Sequence, residues 1–336
     1  MEGCALNSSP QNAREPLVSV ITPCFNGEAF LNYYFEALLA QTYRNVEVIF
    51  VDDGSTDGTA RVFAHYADQL RKYLAGDVLY LAQANKGQCA AVNVAHHRAR
   101  GDIFVPCDSD DFMLPNRISD HVQCFQDNPQ ADLVFGDVYI CESPRQDPIR
   151  SRLEEFKLVP QGAEVYHQLL MRGMFIPSCS YAFRPSVLSY LPGGQLDEED
   201  PGQNLDLLLR AAFHGKVVHH PTHVAKLITR EGSASRGTLA SRYRIGVGSR
   251  RIVDRVIAEY GCRPDVLRAI ERRYTPREII HYMLAGDGRA VRRCVARAFR
   301  AGFYSRGLLA AWLASWTHGA RERYVARRIP RGESNE

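Results

Sequence analysis

Short apolar runs alternate with helical patterns through the first 140 residues of the chain. Residues 28–42 and 87–100 have the apolar spacing of helices, and further helices are predicted to start after Asp57 and near Pro115. The runs between them are typical of buried strands: Leu17 to Thr22, Val46 to Val51, 78–81, Ile103 to Val105 and Leu133 to Phe135. This alternation predicts a mostly parallel sheet that is covered by helices on both faces.

Polar or turn residues follow each of the first four predicted strands. The segments read TPCFNGE, DDGSTDGT, ANKGQ and CDSDD in chain order. Ligands bind at the carboxyl ends of strands in open parallel sheets, so the four segments should converge at one edge. None of them alone is a known phosphate-binding fingerprint.

The second half of the chain has a different pattern. Residues 150–235 are irregular, apart from a helix predicted from about Asn204 to His214 that places Leu205, Leu208 and Ala212 on one stripe. Residues 240–330 are predicted to be mostly helical.

The net charge of +3 conceals an asymmetry along the chain. Residues 241–336 hold 21 Arg and no Lys against nine acidic residues, a net charge of +12, which leaves residues 1–240 near −9. An Arg-rich tail suggests contact with nucleic acid, phospholipid or an anionic glycan, or else it is a solvated helical face.

Cysteine usage and hydropathy favour a cytoplasmic protein. The nine cysteines are scattered without a C-x-x-C pair, which suits reduced thiols. The first fifteen residues lack the apolar core of a signal peptide, and the apolar stretch 307–316 is about half as long as a bilayer span. Peripheral attachment at the inner face of the membrane stays open.

Taken together, VSVITPCFNGEAFL, VEVIFVDDGSTDGT, ANKGQCAAVNVA and VPCDSDD resemble the family 2 glycosyltransferases. The resemblance implies an α/β GT-A fold, which is Rossmann-like and has a mixed, mostly parallel sheet, here with a helical C-terminal extension. It divides the chain into a leader (1–15), a GT-A domain (16–236) and a basic helical region (237–330). Within the GT-A domain, 16–140 would bind the nucleotide sugar and 141–236 would form the acceptor side.

The resemblance also implies an activity. The family transfers a sugar from a nucleotide-diphosphate sugar, here most simply a UDP sugar, to an acceptor hydroxyl with inversion and with Mg²⁺ or Mn²⁺. A role in polysaccharide or glycoconjugate biosynthesis follows, with a glycan or a lipid-linked acceptor. Oligomerisation is left open.

The family's donor-site residues can be carried over to this sequence one by one. They surround the nucleoside (Thr22, Pro23 and Glu28), contact the base (Asp53), approach the base and phosphates (Asn85 and Lys86), and form the metal-binding D-x-D (Asp108 and Asp110). Carboxylates are suitable ligands for hard divalent cations, which often bind one or two of them plus substrate phosphates.

Simpler interpretations of these motifs stay open. DDGSTDGT is also typical of a turn and helix start with Asp57 as the cap, and Asn85-Lys86 of a surface turn. CDSDD is compatible with an acidic turn before a helix, although three carboxylates exceed what capping needs.

The sequence departs from the family at the general base. The family has an Asp in an "ED" pair that opens a helix, but here the pair is Gln203-Asn204. Asn204 could cap the helix, but a neutral amide cannot accept a proton near neutral pH. Either an acid of the segment 197–200 replaces it, with Glu199 and Asp200 as the leading candidates, or the chain binds nucleotide sugar with little transfer.

A second departure is Arg230, which stands where many relatives have a His that completes the metal site. A guanidinium cannot ligate a cation, but it can pair with a phosphate in a bidentate way. Arg230 is therefore predicted to help hold the diphosphate, or else it is an ordinary surface residue.

The C-terminal region contains one apolar helical stripe near arginines. Its members are Leu308, Leu309, Trp312, Leu313 and Trp316. The stripe suits a helix on an anionic bilayer surface, or packing against the catalytic domain or a second subunit. No nucleic-acid partner is expected, because the basic residues are not interleaved with stacking aromatic residues.

Overall fold

The computed structural model describes residues 14–151, 163–199, 202–229 and 239–328. Within them the chain forms nine strands: β1 (Val18–Cys24), β2 (Val46–Asp52), β3 (Val78–Ala82), β4 (Ile103–Pro106), β5 (Phe112–Met113), β6 (Leu133–Cys141), β7 (Arg150–Ser151), β8 (Tyr181–Phe183) and β9 (Val217–Ile228). The helices are α1 (Leu31–Leu39), α2 (Thr59–Tyr73), α3 (Gln88–Arg98), α4 (Arg117–Asp127), α5 (Ala163–Arg172), α6 (Gln203–Phe213), α7 (Leu239–Tyr260), α8 (Pro264–Leu284), α9 (Gly288–Arg300), α10 (Arg306–Ala314) and α11 (His318–Ala326).

All nine strands join one mixed sheet in the order β3-β2-β1-β4-β8-β6-β9-β5, with β7 added beside β6. The strands β1 to β4 pair in parallel, and β8 turns antiparallel between β4 and β6. β6 and β9 are parallel again. The predicted mixed α/β architecture is confirmed, and β9 is a long strand in a stretch that was predicted to be irregular.

Both faces of the parallel strands are buried. Val18, Val20 and Phe50 contribute to a core layer with α1 and α2. Ile21 and Ile49 point to the opposite layer, which includes residues of α3, α5 and α6. This two-sided burial explains why the strands appear as continuous apolar runs, and it fixes their carboxyl ends at one edge.

The helices after residue 238 pack against the GT-A-like body and against one another. Ile252, Val256 and Ile270, on α7 and α8, belong to the same buried layer as α6. A separate core joins α8 to α11 through residues such as Val291 and Leu308. The predicted boundary between residues 236 and 237 lies outside the described residues.

None of the helices in the described part of the chain is long and apolar enough to cross a membrane.

Candidate active site

The loops that follow β1 and β2 brace each other through side chain to backbone hydrogen bonds. The Asn26 side chain accepts from the Thr56 N–H, and the Glu28 carboxylate accepts from the Gly58 N–H and pairs with Arg61. Asp57 accepts from the N–H groups of Glu28 and Thr59. Burial is the largest single influence and raises the pKa of the Asp57 carboxyl, but the hydrogen bonds from Thr59 and Glu28 together outweigh it, so the pKa lies below its usual value.

The predicted capping role of Asp57 is met only in part. α2 begins at Thr59, and Gly58 is its N-cap without a side-chain cap. Asp57, the residue before the N-cap Gly58, still accepts a hydrogen bond from the N–H of Thr59, the first residue of the helix. The DDGSTDGT segment is therefore a braced turn.

Asp53 holds the loop that leads from β3 into α3. Its buried carboxylate accepts from Gln83 Nε2 at 2.7 Å, from the Lys86 N–H at 2.9 Å and from the Gly87 N–H at 2.8 Å. Asn85 and Lys86 are exposed on this loop. Asp53, which was predicted to contact the base, thus holds the loop that contains Asn85 and Lys86. These two residues were predicted to approach the base and the phosphates.

Gly54 allows this loop to come close to β2. Its φ of +79° lies in the left-handed region, and a Cβ there would approach the Asn85 nitrogen to 2.8 Å. A side chain at position 54 would push the loop away from the strand end.

Asp108 lies just beyond β4 and is held from two sides. Its Oδ1 accepts from Gln88 Nε2 at 2.8 Å, and its Oδ2 accepts from the Ser178 hydroxyl at 2.7 Å. Gln88 is the first residue of α3, and Ser178 precedes β8. The carboxylate is therefore oriented by two segments that are distant in sequence.

A buried arginine lies near the acidic cluster of Asp108, Asp110 and Asp111 and interacts with it electrostatically. Arg117 is fully buried, and its guanidinium donates to the Pro106 carbonyl. Burial raises the pKa of Asp108 and of Asp111, and the neighbouring carboxylates raise both further, whereas Arg117 opposes the shift. The cluster therefore has a strong electrostatic reason to accept a cation.

The donor set fits a divalent cation of the magnesium type. Asp108 and Asp110, the predicted ligands, carry the hard oxygen atoms that such a cation prefers, and their neighbour Asp111 is buried and interacts with Cys179. Among the residues that the structure describes, no group of three or more His, Cys, Asp or Glu side chains converges on a metal position. A cation here would be held by one or two carboxylates and completed by phosphates and water.

Asn204 lies inside α6 and does not cap the helix, although its residue type would allow it to. The helix begins at Gln203 with Gly202 as the N-cap, which supplies no side-chain bond. Asn204 Oδ1 instead accepts from the buried Tyr181 hydroxyl at 2.7 Å. Burial raises the pKa of the Tyr181 hydroxyl, and the negative charge of Asp108 raises it further. The effect of Asp108 indicates that the hydroxyl lies near the acidic cluster.

The acidic segment before α6 contains members with different surroundings. Asp197 pairs with Arg255 at 2.7 Å. Glu198 Oε1 accepts from Asn93 Nδ2 at 3.1 Å, although its side chain is otherwise exposed. Glu199 is exposed, and its N–H donates to Asp197.

Four predicted site residues need separate comment. Asp200 and Arg230 lie outside the described residues. Pro23 is buried near the end of β1, and the fully buried Thr22 hydroxyl pairs with the hydroxyl of Tyr34 on α1. We therefore expect Thr22 to shape the strand end without contacting the donor through its hydroxyl.

Sequence reasoning did not identify four polar residues that organise the site: Gln88, Arg117, Ser178 and Tyr181. Gln88 directly follows the ANKG segment, which is a weak signal. Ser178 and Tyr181 lie in PSCSYAF about 70 residues after Asp108, and the sequence contains no pattern that links them.

Comparison with known proteins identifies a family. The model described as Glycosyl transferase family 2 matches residues 19–190, just over half of the chain. An uncharacterized glycosyltransferase of Haemophilus influenzae is 28% identical over 158 residues, which are 47% of this chain and 58% of that protein. The chain thus spans less than two thirds of this relative.

Two solved structures share the fold at low sequence identity. S. aureus TarS in complex with UDP-GlcNAc is 18% identical, with a TM-score of 0.58 over 94% of this chain and 93% of that chain. The mannosyltransferase PcManGT of Pyrobaculum calidifontis, in complex with GDP-Man and Mn²⁺, is 18% identical, with a TM-score of 0.57 over 95% and 81%. The expected GT-A fold is confirmed.

Proposed function

Because the chain belongs to glycosyltransferase family 2, we propose that it transfers a sugar from a nucleotide-diphosphate sugar to an acceptor hydroxyl, with inversion. The observation that carries this proposal is the placement of Asp108. Gln88 and Ser178 hold its carboxylate at the carboxyl end of β4, and Gln88 directly follows the loop that Asp53 braces. The loop predicted to bind the nucleotide and the carboxylates predicted to bind the cation therefore lie at the same edge of the sheet, which supports the proposal.

The donor is proposed to be a UDP sugar, held with Mg²⁺ or Mn²⁺. TarS was solved with UDP-GlcNAc, and the mannosyltransferase with GDP-Man and Mn²⁺. In this chain Asp108 and Asp110 would hold the cation, which when bound supplies positive charge against the leaving diphosphate. The exposed Lys86, and Arg230 further along the chain, would add positive charge beside the phosphates.

The general base is proposed to come from the acidic segment before α6. An inverting transfer needs a group that accepts the proton of the acceptor hydroxyl as its oxygen attacks. Glu199 and Asp200 remain candidates from the sequence. The structure adds Glu198, because Asn93 ties its carboxylate to α3, the helix whose first residue holds Asp108.

Calorimetry with a panel of nucleoside diphosphates and their sugars, with and without Mn²⁺, tests the donor site. We expect UDP binding that strengthens with Mn²⁺, and we expect Asp108→Asn and Asp110→Asn each to weaken that binding tenfold or more, about 1.4 kcal/mol. Asp68→Asn, an exposed acid on α2, is the matched control and should change nothing. If no nucleotide binds under any condition, the proposal fails.

The base is tested by comparing Glu198→Gln, Glu199→Gln and Asp200→Asn in a donor-hydrolysis or transfer assay. Loss of the base should lower kcat by about 10²- to 10⁴-fold and leave UDP affinity unchanged. If all three variants retain full turnover, the base does not lie in this segment.

The bond between Asn204 and Tyr181 favours a second candidate function. An amide stands where the family has its base, and it is already engaged by a buried hydroxyl. The protein would then bind nucleotide sugar with little or no transfer. Tight donor binding without hydrolysis or transfer to any glycan or lipid-linked acceptor would support this alternative.

As a transferase, the protein is proposed to act in polysaccharide or glycoconjugate synthesis. The role of Arg230 can be measured separately from the reaction. Arg230→Ala should remove donor binding that persists without metal, because the guanidinium would supply the charge that the cation otherwise provides. Unchanged metal-free binding in this variant would assign Arg230 to the surface.

A further inference from the structure

The helix α10 and the turn after it present an apolar row to solvent. Leu309, Trp312, Leu313 and Trp316 are exposed by 54%, 38%, 59% and 60%, respectively. Leu309, Trp312 and Leu313 lie at i, i+3 and i+4 on one side of α10, and Trp316 follows in the turn after the helix, which ends at Ala314. Surface helices normally turn their polar side outward, so this row is an apolar surface that the described residues leave largely exposed.

The opposite side of α10 is anchored in the protein. Leu308 and Ala311 are buried in the core that joins α8 to α11. The stripe predicted from the sequence is therefore divided, because Leu308 points inward and its other four members point outward. Packing against the body accounts for only the inner side.

Arginines line the neighbouring helix α9 along one side. Arg289, Arg292, Arg293 and Arg300 line a groove together with Trp312 of α10. The Arg292 guanidinium carbon lies 4.2 Å from the Trp316 ring centroid, and its Nη1 donates to the Ser315 carbonyl. The two helices thus form one continuous surface, which we call the arginine–tryptophan face.

The surrounding sequence strengthens the positive field of this face. Residues 287–328 contain ten arginines against only two acids, Asp287 and Glu322. Arg297 is the arginine most clearly used internally, since it pairs with Glu271 and Glu278. Most of the positive charge is therefore available at the surface.

We propose that the arginine–tryptophan face docks the protein on an anionic phospholipid surface. Tryptophan and leucine side chains on an interfacial helix enter the boundary between headgroups and acyl chains. Guanidinium groups beside them pair with lipid phosphates, and each basic residue near such a surface contributes attraction that salt screens. The apolar row and the arginines supply both requirements on adjacent helices.

The charge pattern argues against the other occupants of this face. A symmetric dimer through it would set the same arginines against each other, because an isologous interface pairs a patch with its own copy. A nucleic acid would neutralise the arginines but would leave Leu309 and Leu313 exposed or in contact with a charged backbone. A bilayer satisfies both kinds of side chain.

The two tryptophans make a site-specific test available. Trp312 and Trp316 are the only tryptophans of the chain, so its tryptophan emission reports on this face alone. The full-length protein is mixed with vesicles of phosphatidylcholine, or of phosphatidylcholine with phosphatidylglycerol. We expect a blue shift and co-sedimentation with the anionic vesicles, weakened by salt, and quenching by brominated acyl chains.

Charge variants test the electrostatic half of the proposal. Arg289→Gln, Arg293→Gln and Arg300→Gln combined should lower partitioning into anionic vesicles by about a hundredfold. The matched control removes the same charge elsewhere, through substitutions of exposed arginines on α2, α3 and α8: Arg71→Gln, Arg98→Gln and Arg272→Gln. It should retain most of the binding.

Apolar variants test the insertion half. Leu309→Ser and Leu313→Ser should each lower partitioning by about fivefold to tenfold. In each case the exposed half of the leucine would no longer contribute apolar area to be buried in the bilayer. Ile149→Ser and Met174→Ser, at exposed apolar positions elsewhere, are the control pair. All variants keep both tryptophans, so the same emission measurement applies.

Several outcomes would overturn the proposal. One is an unshifted emission with anionic vesicles at low salt. Another is equal binding of both vesicle types, or equal losses in the test and control variants. Concentration-dependent dimers that Leu309→Ser abolishes, without vesicle binding, would assign the face to a second copy. Vesicle binding is measured without donor, so this test is independent of the proposed transfer reaction.

Discussion

Replacing Asp53 by Asn should loosen the loop between β3 and α3 and lower the free energy of unfolding. The carboxylate accepts three hydrogen bonds from Gln83, Lys86 and Gly87 at 2.7–2.9 Å. An asparagine keeps one acceptor oxygen, and its NH₂ group would face at least one N–H donor. Losing one charge-assisted bond and weakening the others costs about 2–4 kcal/mol, limited by local opening of the loop.

Two measurements on the same variant separate bracing from base contact. Urea unfolding followed by circular dichroism gives the free-energy change, and calorimetry gives the affinity for UDP. We expect both quantities to fall, because the braced loop contains Asn85 and Lys86. Asp68→Asn, in an exposed pair with Arg71, should change the unfolding free energy by less than about 0.5 kcal/mol.

The reasoning would be refuted by an unfolding free energy that stays within about 0.5 kcal/mol of the original. If UDP affinity alone were lost, Asp53 would act by touching the base and not by holding the loop. If neither quantity changed, the three bonds would contribute nothing to either property.

Three further predictions follow from single contacts. Burial lowers the pKa of His96 from 6.5 to about 4, so the ring folds neutral, and the unfolding free energy should fall by about 3 kcal/mol as pH drops from 6.5 to 4. His96→Phe, which keeps the stacking on Phe104, should reduce that loss in urea titrations at several pH values. Gly54→Ala should cost about 1–3 kcal/mol and lower the melting temperature in a thermal scan, since alanine resists the left-handed conformation. Asn204→Asp should keep the bond from Tyr181 and, if an acid of the preceding segment is the base, change kcat less than about threefold. A rise of about a hundredfold would favour the binding-protein alternative.

The parallel half of the sheet was predictable because its strands are buried on both faces. β1 and β2 were expected at Leu17 to Thr22 and Val46 to Val51, and they occur at Val18–Cys24 and Val46–Asp52. β9 was missed because VVHHPTHVAKLI lacks apolar alternation and contains Pro221. Its pairing with β6 is irregular between Phe135 and Val138, so tertiary pairing overrides a weak local preference there.

The positions of candidate site residues were predictable where those residues lie just after a strand. They were not predictable where a residue is held by a side chain distant in sequence. Asp53 and Asp108 could be placed at one edge because each lies within two residues of a strand's carboxyl end. Ser178 lies in the turn before β8 and Tyr181 is the first residue of β8, in a stretch that was predicted to be irregular, and their contacts with Asp108 and Asn204 span 70 and 23 residues. The position of the antiparallel strand β8 between β4 and β6 brings these pairs together. Composition and periodicity do not predict that position.

The helix α3 provides a common reference for the two halves of the site. Its first residue, Gln88, holds Asp108, and Asn93 further along holds the Leu196 backbone and the Glu198 carboxylate. Five residues correspond to about 7.5 Å of helix axis, so α3 sets the distance between the predicted cation ligand Asp108 and the acidic segment. Because Asp53 fixes the loop that enters α3, we expect a change in this loop to move both groups together. Loosening this loop should therefore reduce turnover as well as donor affinity, whichever acid of the segment accepts the proton.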